Sequence, residues 1–137
     1  MTCFHWTREQ VALRIREAWD TLRRVPAHTV PGFKVSWPDF VQDTMEAYGY
    51  TQAAVRLARA SPQAIDRMNE VFGWFRHLEG QAHLTKAVWL TAGAGMGPKR
   101  AGALLGVHRD TVRARRDEGL DAIVVGLNRE DARTGAA

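Results

Sequence analysis

Cysteine is scarce in this sequence and long apolar runs are missing. Cys3 is the only cysteine among 137 residues, so the chain has no internal disulfide, and a reducing cytoplasm is the expected compartment. No stretch approaches the ~20 consecutive apolar residues that a membrane-spanning helix needs. The first ten residues also lack the apolar segment and small-residue cleavage site of a signal peptide. We therefore expect a cytoplasmic protein with no membrane partner.

Strict alternation of apolar and polar residues, the pattern of a half-buried strand, is also missing over any useful length. Apolar residues recur instead every three or four positions, which is typical of amphipathic helices. The composition, 45% hydrophobic and 25% charged, is that of a globular chain and excludes wholesale disorder. The sequence predicts an all-α fold of five to six helices.

Local signals mark where these helices begin. A capping residue, alone or with a proline in the first turn, occurs at Thr7-Arg-Glu-Gln10, Ser36-Trp-Pro38 and Ser61-Pro62. The first signal predicts a helix over 8–24 and the second a helix that ends near Gly49, whereas residues 49–60 have helical composition without a clear cap. The helix after Ser61 carries a large apolar stripe, with Trp74 at its edge, which we interpret as core.

Positive charge is concentrated in one segment. The chain has 19 Lys and Arg against 15 Asp and Glu, for a net charge of +4. Residues 99–116 hold six cations and one anion, Asp110, so this segment carries +5 and the rest of the chain −1. A local surplus of this kind is typical of a surface that binds a polyanion, although a solvated arginine-rich helix would give the same count.

Residues 98–112 resemble the helix-turn-helix of bacterial DNA-binding proteins. Gly102 supplies a small residue where the second helix crosses the first, and Gly106 supplies the unencumbered backbone that the turn needs. Val112 is spaced to dock the second helix back on the first. The small core between them would be filled by the apolar residues that flank the turn, Leu105 and Val107. In this pattern the second helix reads the major groove of double-stranded DNA; a helical hairpin without a ligand is the alternative.

The predicted DNA contacts fall into two groups. The residues that helical geometry projects outward from the second helix are His108, Arg109, Asp110, Arg113, Ala114 and Asp117. Of these, Arg109 and Arg113 would grip guanine N7 and O6, while Asp110 would either accept from a cytosine amino group or hold an arginine in position. Phosphate contacts, which set register and not sequence, are predicted for Lys99, Arg100, Thr111 and Arg115.

Two residues depart from the motif. His108 stands where a serine or threonine normally caps the second helix, and histidine is a poorer cap. Arg116 stands where the motif has a large apolar residue, so it must extend past the edge of the core or bind phosphate. Apolar residues resume beyond Gly119, which predicts that this helix continues to about Asn128 and packs on the body. The chain then divides into a helical body (1–92), a helix-turn-helix region (93–130) and a frayed tail (131–137).

The resemblance extends beyond the motif to nearly the whole chain, from Trp6 to Asn128. It rests on the order of Trp6-Thr7, Thr21-Leu-Arg-Arg-Val-Pro26, Ser36-Trp-Pro38, Glu46-Ala-Tyr-Gly-Tyr50, Ser61-Pro62, Ala64-Ile-Asp-Arg-Met68, the helix-turn-helix and Leu127-Asn128. In this order the chain is similar to a family of small proteins of unknown function from phages, prophages and alphaproteobacteria. The C-terminal part of that family resembles the helix-turn-helix of sigma-factor region 4. The resemblance implies a phage-derived DNA-binding protein and no particular activity.

No catalytic, metal or cofactor site is evident in the sequence. The glycine-rich stretch before Lys99 lacks the spacing and the following Ser or Thr of a phosphate-binding loop, so we interpret it as a flexible lead-in to the helix-turn-helix. The five histidines do not cluster at ligand spacing and Cys3 does not pair with them, so zinc is not expected. We therefore expect a protein that is not an enzyme and needs no cofactor.

Three functions fit these features. The first is a DNA-binding transcriptional regulator whose helical body serves dimerisation or contact with a partner. The second is a phage packaging protein of the small-terminase kind, which assembles into a ring. The third is an interaction module with a purely structural hairpin, for which an exposed aromatic surface would be supplied by Trp6, Trp19, Trp37, Trp74 and Trp89. Homo-oligomerisation and a protein partner are both open at this point.

Overall fold

The computed structural model describes residues 5–24 and 60–135, and within these ranges it contains helices and no strand. The predicted all-α fold is confirmed. Five α-helices lie in the described ranges, with a 3-10 turn at Phe75–Leu78 and a π-helical turn at Trp89–Gly93. In chain order they are α1 (Arg8–Arg23), α2 (Pro62–Trp74), α3 (Ala82–Val88), α4 (Pro98–Leu105) and α5 (Arg109–Gly135). The predicted loop at 25–36, the helix from Ser36 to Gly49 and the ambiguous segment 49–60 lie outside the described residues.

The predicted helix starts form as expected where the structure describes them. Thr7 and Gln10 make both halves of a capping box: the Gln10 N–H donates to the Thr7 hydroxyl at 3.2 Å, and the Thr7 N–H donates to the Gln10 amide oxygen at 3.1 Å. The Ser61 hydroxyl accepts from the Ala64 N–H at 3.1 Å, with Pro62 as the first helical residue. These caps satisfy donors that no helical carbonyl reaches.

The main core is built around Trp89, which is fully buried in the π-helical turn. Its ring makes edge-to-face contacts with three aromatic rings, with centroid distances of 5.5 Å to Trp19, 5.7 Å to Phe72 and 6.2 Å to Phe75. Aromatic pairs of this geometry add stabilisation beyond the area that they bury. Through this ring, α1 and α2 pack on the end of α3.

Burial of the tryptophans corrects one expectation. Trp74, at the edge of the stripe interpreted as core, is 2% exposed, and Trp19 is buried with it. Trp89 is also in the core. The prediction of an exposed aromatic surface is therefore wrong for Trp19, Trp74 and Trp89, because their rings are buried. Trp6 is half-buried, and Trp37 lies outside the described residues.

The backbone of Trp6, just before α1, is hydrogen-bonded to the side chain of Asn128 in the second half of α5. The Trp6 N–H donates to the Asn128 side-chain oxygen at 2.7 Å, and the Asn128 amide donates to the Trp6 carbonyl at 3.1 Å. The Trp6 ring stands edge-on to Trp74 at 5.0 Å, and the Arg14 guanidinium lies 5.1 Å from the Trp74 ring centroid. Trp6 and Asn128, the two ends of the resemblance, therefore touch each other.

α5 packs on the body over its second half, as predicted. Leu120, Ile123 and Leu127 are buried in the main core. At Gly119 a β carbon would lie 2.5 Å from Val88 Cγ2, so α3 and α5 cross closely there. The helix continues to Gly135, beyond the Asn128 at which the apolar pattern ends. Among the described residues no helix combines the length and apolar character needed to cross a bilayer.

His77 couples this packing to pH. Its ring lies against Gly126 of α5, and its Nε2 is 3.3 Å from a Glu130 carboxylate oxygen. Burial lowers the pKa of His77 below its ordinary value of 6.5. The charge of Glu130 opposes this shift, and the charge of Arg76 adds to it. Because the folded state binds this proton less readily than the unfolded state, the associated stability is complete above pH 6.5 and is lost as the pH falls through the folded-state pKa.

We predict that His77→Gln makes the free energy of unfolding less dependent on pH between 7 and 5 than it is in the wild type. Chemical denaturation at several pH values measures this. The matched control is His83→Gln, which removes an exposed histidine on α3 and should keep the wild-type dependence. Equal pH dependence in the wild type and His77→Gln would contradict the assignment.

Candidate nucleic-acid interface

α4 and the first turns of α5 form the predicted helix-turn-helix arrangement, joined by residues 106–108. Gly106 ends α4 in the left-handed conformation, at φ +71° and ψ +30°, as the motif requires. The Val107 N–H then donates to the Gly102 carbonyl at 3.0 Å. Pro98 is the first residue of α4, as predicted. A left-handed residue with such a bond is a common way to end a helix sharply.

Gly102 is the point of closest approach between α4 and the turn. A β carbon at this position would lie 2.6 Å from the Val107 carbonyl oxygen and 3.4 Å from the Arg109 nitrogen. Both are backbone atoms and cannot rotate away. The prediction that Gly102 serves close crossing, and not contact with a ligand, is supported by this geometry.

A second, smaller core holds the two helices together. Val112 is fully buried, and Leu105 and Val107 pack at its edge, as the motif predicts. Three further members were not predicted from the sequence: Leu90, Met96 and Ala101. Leu90 belongs to the π-helical turn of the body, and the Met96 N–H donates to its carbonyl at 3.0 Å.

The anchoring of Met96 corrects the interpretation of the glycine-rich stretch as a flexible lead-in. Met96 is only 6% exposed, and its backbone is bonded to the body. A single apolar residue among glycines was the available signal in the sequence. The lead-in consequently fixes α4 to the body at one point.

His108 caps α5 through its side chain. Its Nδ1 accepts a hydrogen bond from the Asp110 N–H at 3.2 Å. The predicted weakness of this cap is not evident in the geometry, because the ring nitrogen reaches the donor that a serine hydroxyl would otherwise satisfy.

The structure places the nine predicted contact residues on α4, in the turn and at the beginning of α5. Those that are exposed are Lys99, Arg100, His108, Arg109, Asp110 and Arg113; those that are half-buried are Thr111, Arg115 and Arg116. Ala114 is exposed as predicted, whereas Asp117 is half-buried. Asp117 does not project freely: its carboxylate lies 3.8 Å from Arg8 and 3.4 Å from Arg116.

The contacts of Asp110 and Arg116 bear on the alternative roles predicted for these two residues. An Asp110 carboxylate oxygen lies 3.5 Å from an Arg113 guanidinium nitrogen, one turn along the same exposed face. This favours Asp110 holding an arginine in position in the unbound protein. Arg116 pairs with its neighbour Asp117 and is half-buried, so its stem passes the core edge while its charged end is already partnered.

Within the described ranges, no carboxylate forms an ion pair with Lys99, Arg109 or Arg115. These three cations are therefore not neutralised by a carboxylate of the described part of the chain. Three or more His, Cys, Asp or Glu side chains in a metal-binding arrangement do not occur in the part of the chain that the structure describes.

We predict that Gly102→Ala lowers the melting temperature more than Gly106→Ala. The first change drives a β carbon into backbone, and the second only forces a residue with a side chain into the left-handed region, at about 1–2 kcal/mol. Gly97→Ser is the control, because a β carbon there meets nothing within 4 Å and serine is a good cap. Thermal unfolding by circular dichroism measures all three, and an unchanged Gly102→Ala melting temperature would contradict the crossing described above.

Comparison with known families gives one match, to a family described as domain of unknown function (DUF6362), over residues 23–123. This range lies inside the Trp6–Asn128 range of the resemblance and includes the whole of α4, the turn and the nine predicted contact residues. No curated protein matches the chain. No solved structure matches it either. Because the family model covers most of the chain, the protein belongs to the DUF6362 family of domains of unknown function.

Proposed function

We propose that this protein binds double-stranded DNA through α4 and the first turns of α5. The observation that carries the proposal is the pairing of a left-handed turn at Gly106 with two exposed arginines, Arg109 and Arg113, in the first two turns of α5. In a helix-turn-helix this part of the second helix enters the major groove, and the first helix crosses the phosphate backbone.

The distribution of ion pairs supports the same surface. Several arginines of the body are matched with carboxylates, as in Arg8–Asp121 at 2.8 Å and Arg67–Glu17 at 2.6 Å. The surplus positive charge is left on the helix-turn-helix, where Lys99, Arg109 and Arg115 have no such partner among the described residues. Cations that are not neutralised within the protein can release counterions from DNA phosphates, which is the main source of non-specific affinity.

Among DNA-binding functions, we propose a phage-derived, cytoplasmic transcriptional regulator without enzymatic activity. The support is the resemblance of the C-terminal part to sigma-factor region 4, together with an exposed face of α5 that offers Arg109 and Arg113 to base edges. A small-terminase-like packaging protein would share the DNA contacts and differ in assembling into a ring. Light-scattering mass in solution separates the two, since a monomer or dimer favours the regulator and a larger closed oligomer the packaging protein.

We predict that affinity for duplex DNA falls steeply with salt. Up to about six phosphate contacts would give a slope near −5 in a plot of log affinity against log salt concentration, since each contact contributes ~−0.9. Fluorescence anisotropy with a labelled duplex between 50 and 200 mM salt measures the slope. Affinity that does not change over this range would contradict an electrostatic interface.

A second prediction separates base contacts from phosphate contacts. Arg113→Ala should cost about 1–3 kcal/mol on the preferred site and relax base preference there, because a bidentate contact to guanine is lost. Arg100→Ala, in the first turn of α4, should weaken all sequences alike and reduce the salt slope by ~1.

Binding selection on randomised duplexes, with the wild type and both variants, tests this distinction. A selected motif that is altered by Arg113→Ala and kept by Arg100→Ala is the expected result. If both variants bind more weakly and select the wild-type motif, Arg113 is a phosphate contact only. A wild type that selects no motif would favour the packaging function over the regulator.

A further inference from the structure

Arg16 differs from the other arginines of α1 in having no carboxylate partner. Arg8 pairs with Asp121 at 2.8 Å and Arg14 with Glu70 at 3.2 Å. At the end of the helix, the Asp20 carboxylate is shared by Arg23 and Arg24, at 3.9 and 3.1 Å. Within residues 5–24 and 60–135, no ion pair forms at Arg16, which is exposed. Its charge is therefore not cancelled by the described part of the chain.

The Arg16 guanidinium lies on the loop that leads into α4. The loop residue beneath it is Gly95, at φ +71°. A β carbon there would contact Arg16 Nη1 and lie 3.4 Å from its Cζ, so the guanidinium rests on backbone that carries no side chain. The contact joins residues that are distant in the sequence.

The contact with Gly95 brings Arg16 to the loop that leads into the cations of α4. Gly95 precedes Lys99 by four residues, so their α carbons are at most ~14 Å apart even if the chain between them were fully extended. Phosphates on one DNA strand recur every ~3.4 Å of helix axis. A backbone that passes the first turn of α4 would therefore run within a few phosphates of Arg16.

We infer that Arg16 is an additional phosphate contact, which extends the DNA-binding surface of the helix-turn-helix onto α1. The inference rests on the proposed DNA-binding function. A guanidinium presents several N–H donors in a planar fork that matches the oxygens of a phosphate. Contacts to phosphate position a protein on DNA without reading sequence, so Arg16 should strengthen binding to every duplex equally.

The test compares salt slopes of duplex binding for the wild type, Arg16→Gln and Arg16→Lys. Loss of one phosphate contact should make the Arg16→Gln slope less negative by ~0.9. Between 50 and 200 mM salt, the ratio of wild-type to Arg16→Gln affinity should then shrink about 3.5-fold. Arg16→Lys keeps the charge and should keep the wild-type slope.

Arg67→Gln is the matched control, because it removes the same charge from an arginine of α2 that is already paired with Glu17. It should leave the slope unchanged. Thermal unfolding of each variant checks that the exposed Arg16 side chain is not needed for folding.

The outcomes separate this inference from the function on which it rests. A wild-type slope near −5 with the same slope in Arg16→Gln overturns the Arg16 contact and leaves DNA binding intact. An equal loss of slope in Arg67→Gln also overturns it, since the effect would then follow net charge alone. A wild type that binds no duplex DNA overturns both.

Discussion

A single continuous helix, α5, belongs to both hydrophobic cores of the described structure, and the arrangement of the rest depends on it. Its first turns close the small core through Val112, and its second half enters the main core through Leu120 and Ile123. A helix is stiff over this length, so the orientation of the exposed first turns is set by packing several turns away. The Leu90–Met96 contact, just before α4, adds a second attachment. The helix-turn-helix is consequently part of the body, not a module on a linker.

The distribution of charge also distinguishes the body from the helix-turn-helix. Ion pairs at the surface contribute little to stability, with a median near 0–1 kcal/mol, so the chief consequence of Arg8–Asp121 and Arg67–Glu17 is that they cancel charge. Pairs of this kind reduce the positive charge of the described body, whereas Lys99, Arg109 and Arg115 have no such pair among the described residues. A concentrated field of one sign steers a polyanion toward one face. The packing that orients the first turns of α5 and the distribution of charge thus favour the same surface for DNA, that of the helix-turn-helix.

Features decided by neighbours in sequence could be predicted, and features decided by distant contacts could not. The Thr7 capping box and the Gly106 turn depend on residues within a few positions, and the structure contains both as expected. Trp74 was offered for an exposed aromatic surface, whereas the fold buries it and sets its ring edge-on to that of Trp6, which is distant in the sequence. Arg16 was missed for the same reason, since only the fold brings it to Gly95. His108 was underrated because capping statistics describe typical residues, whereas this imidazole reaches the Asp110 N–H.

The hydrogen-bonded pair formed by Trp6 and Asn128 has a practical consequence for labelling. Asn128 lies nineteen residues beyond Arg109 on one helix, which at ~1.5 Å per residue is about 28 Å along the helix axis. Trp6 is held at that same far end, so residues near both ends of the described chain are remote from the turn at Gly106. A fluorophore attached at position 5 would therefore report on the Asn128 end of α5 and not on the turn itself.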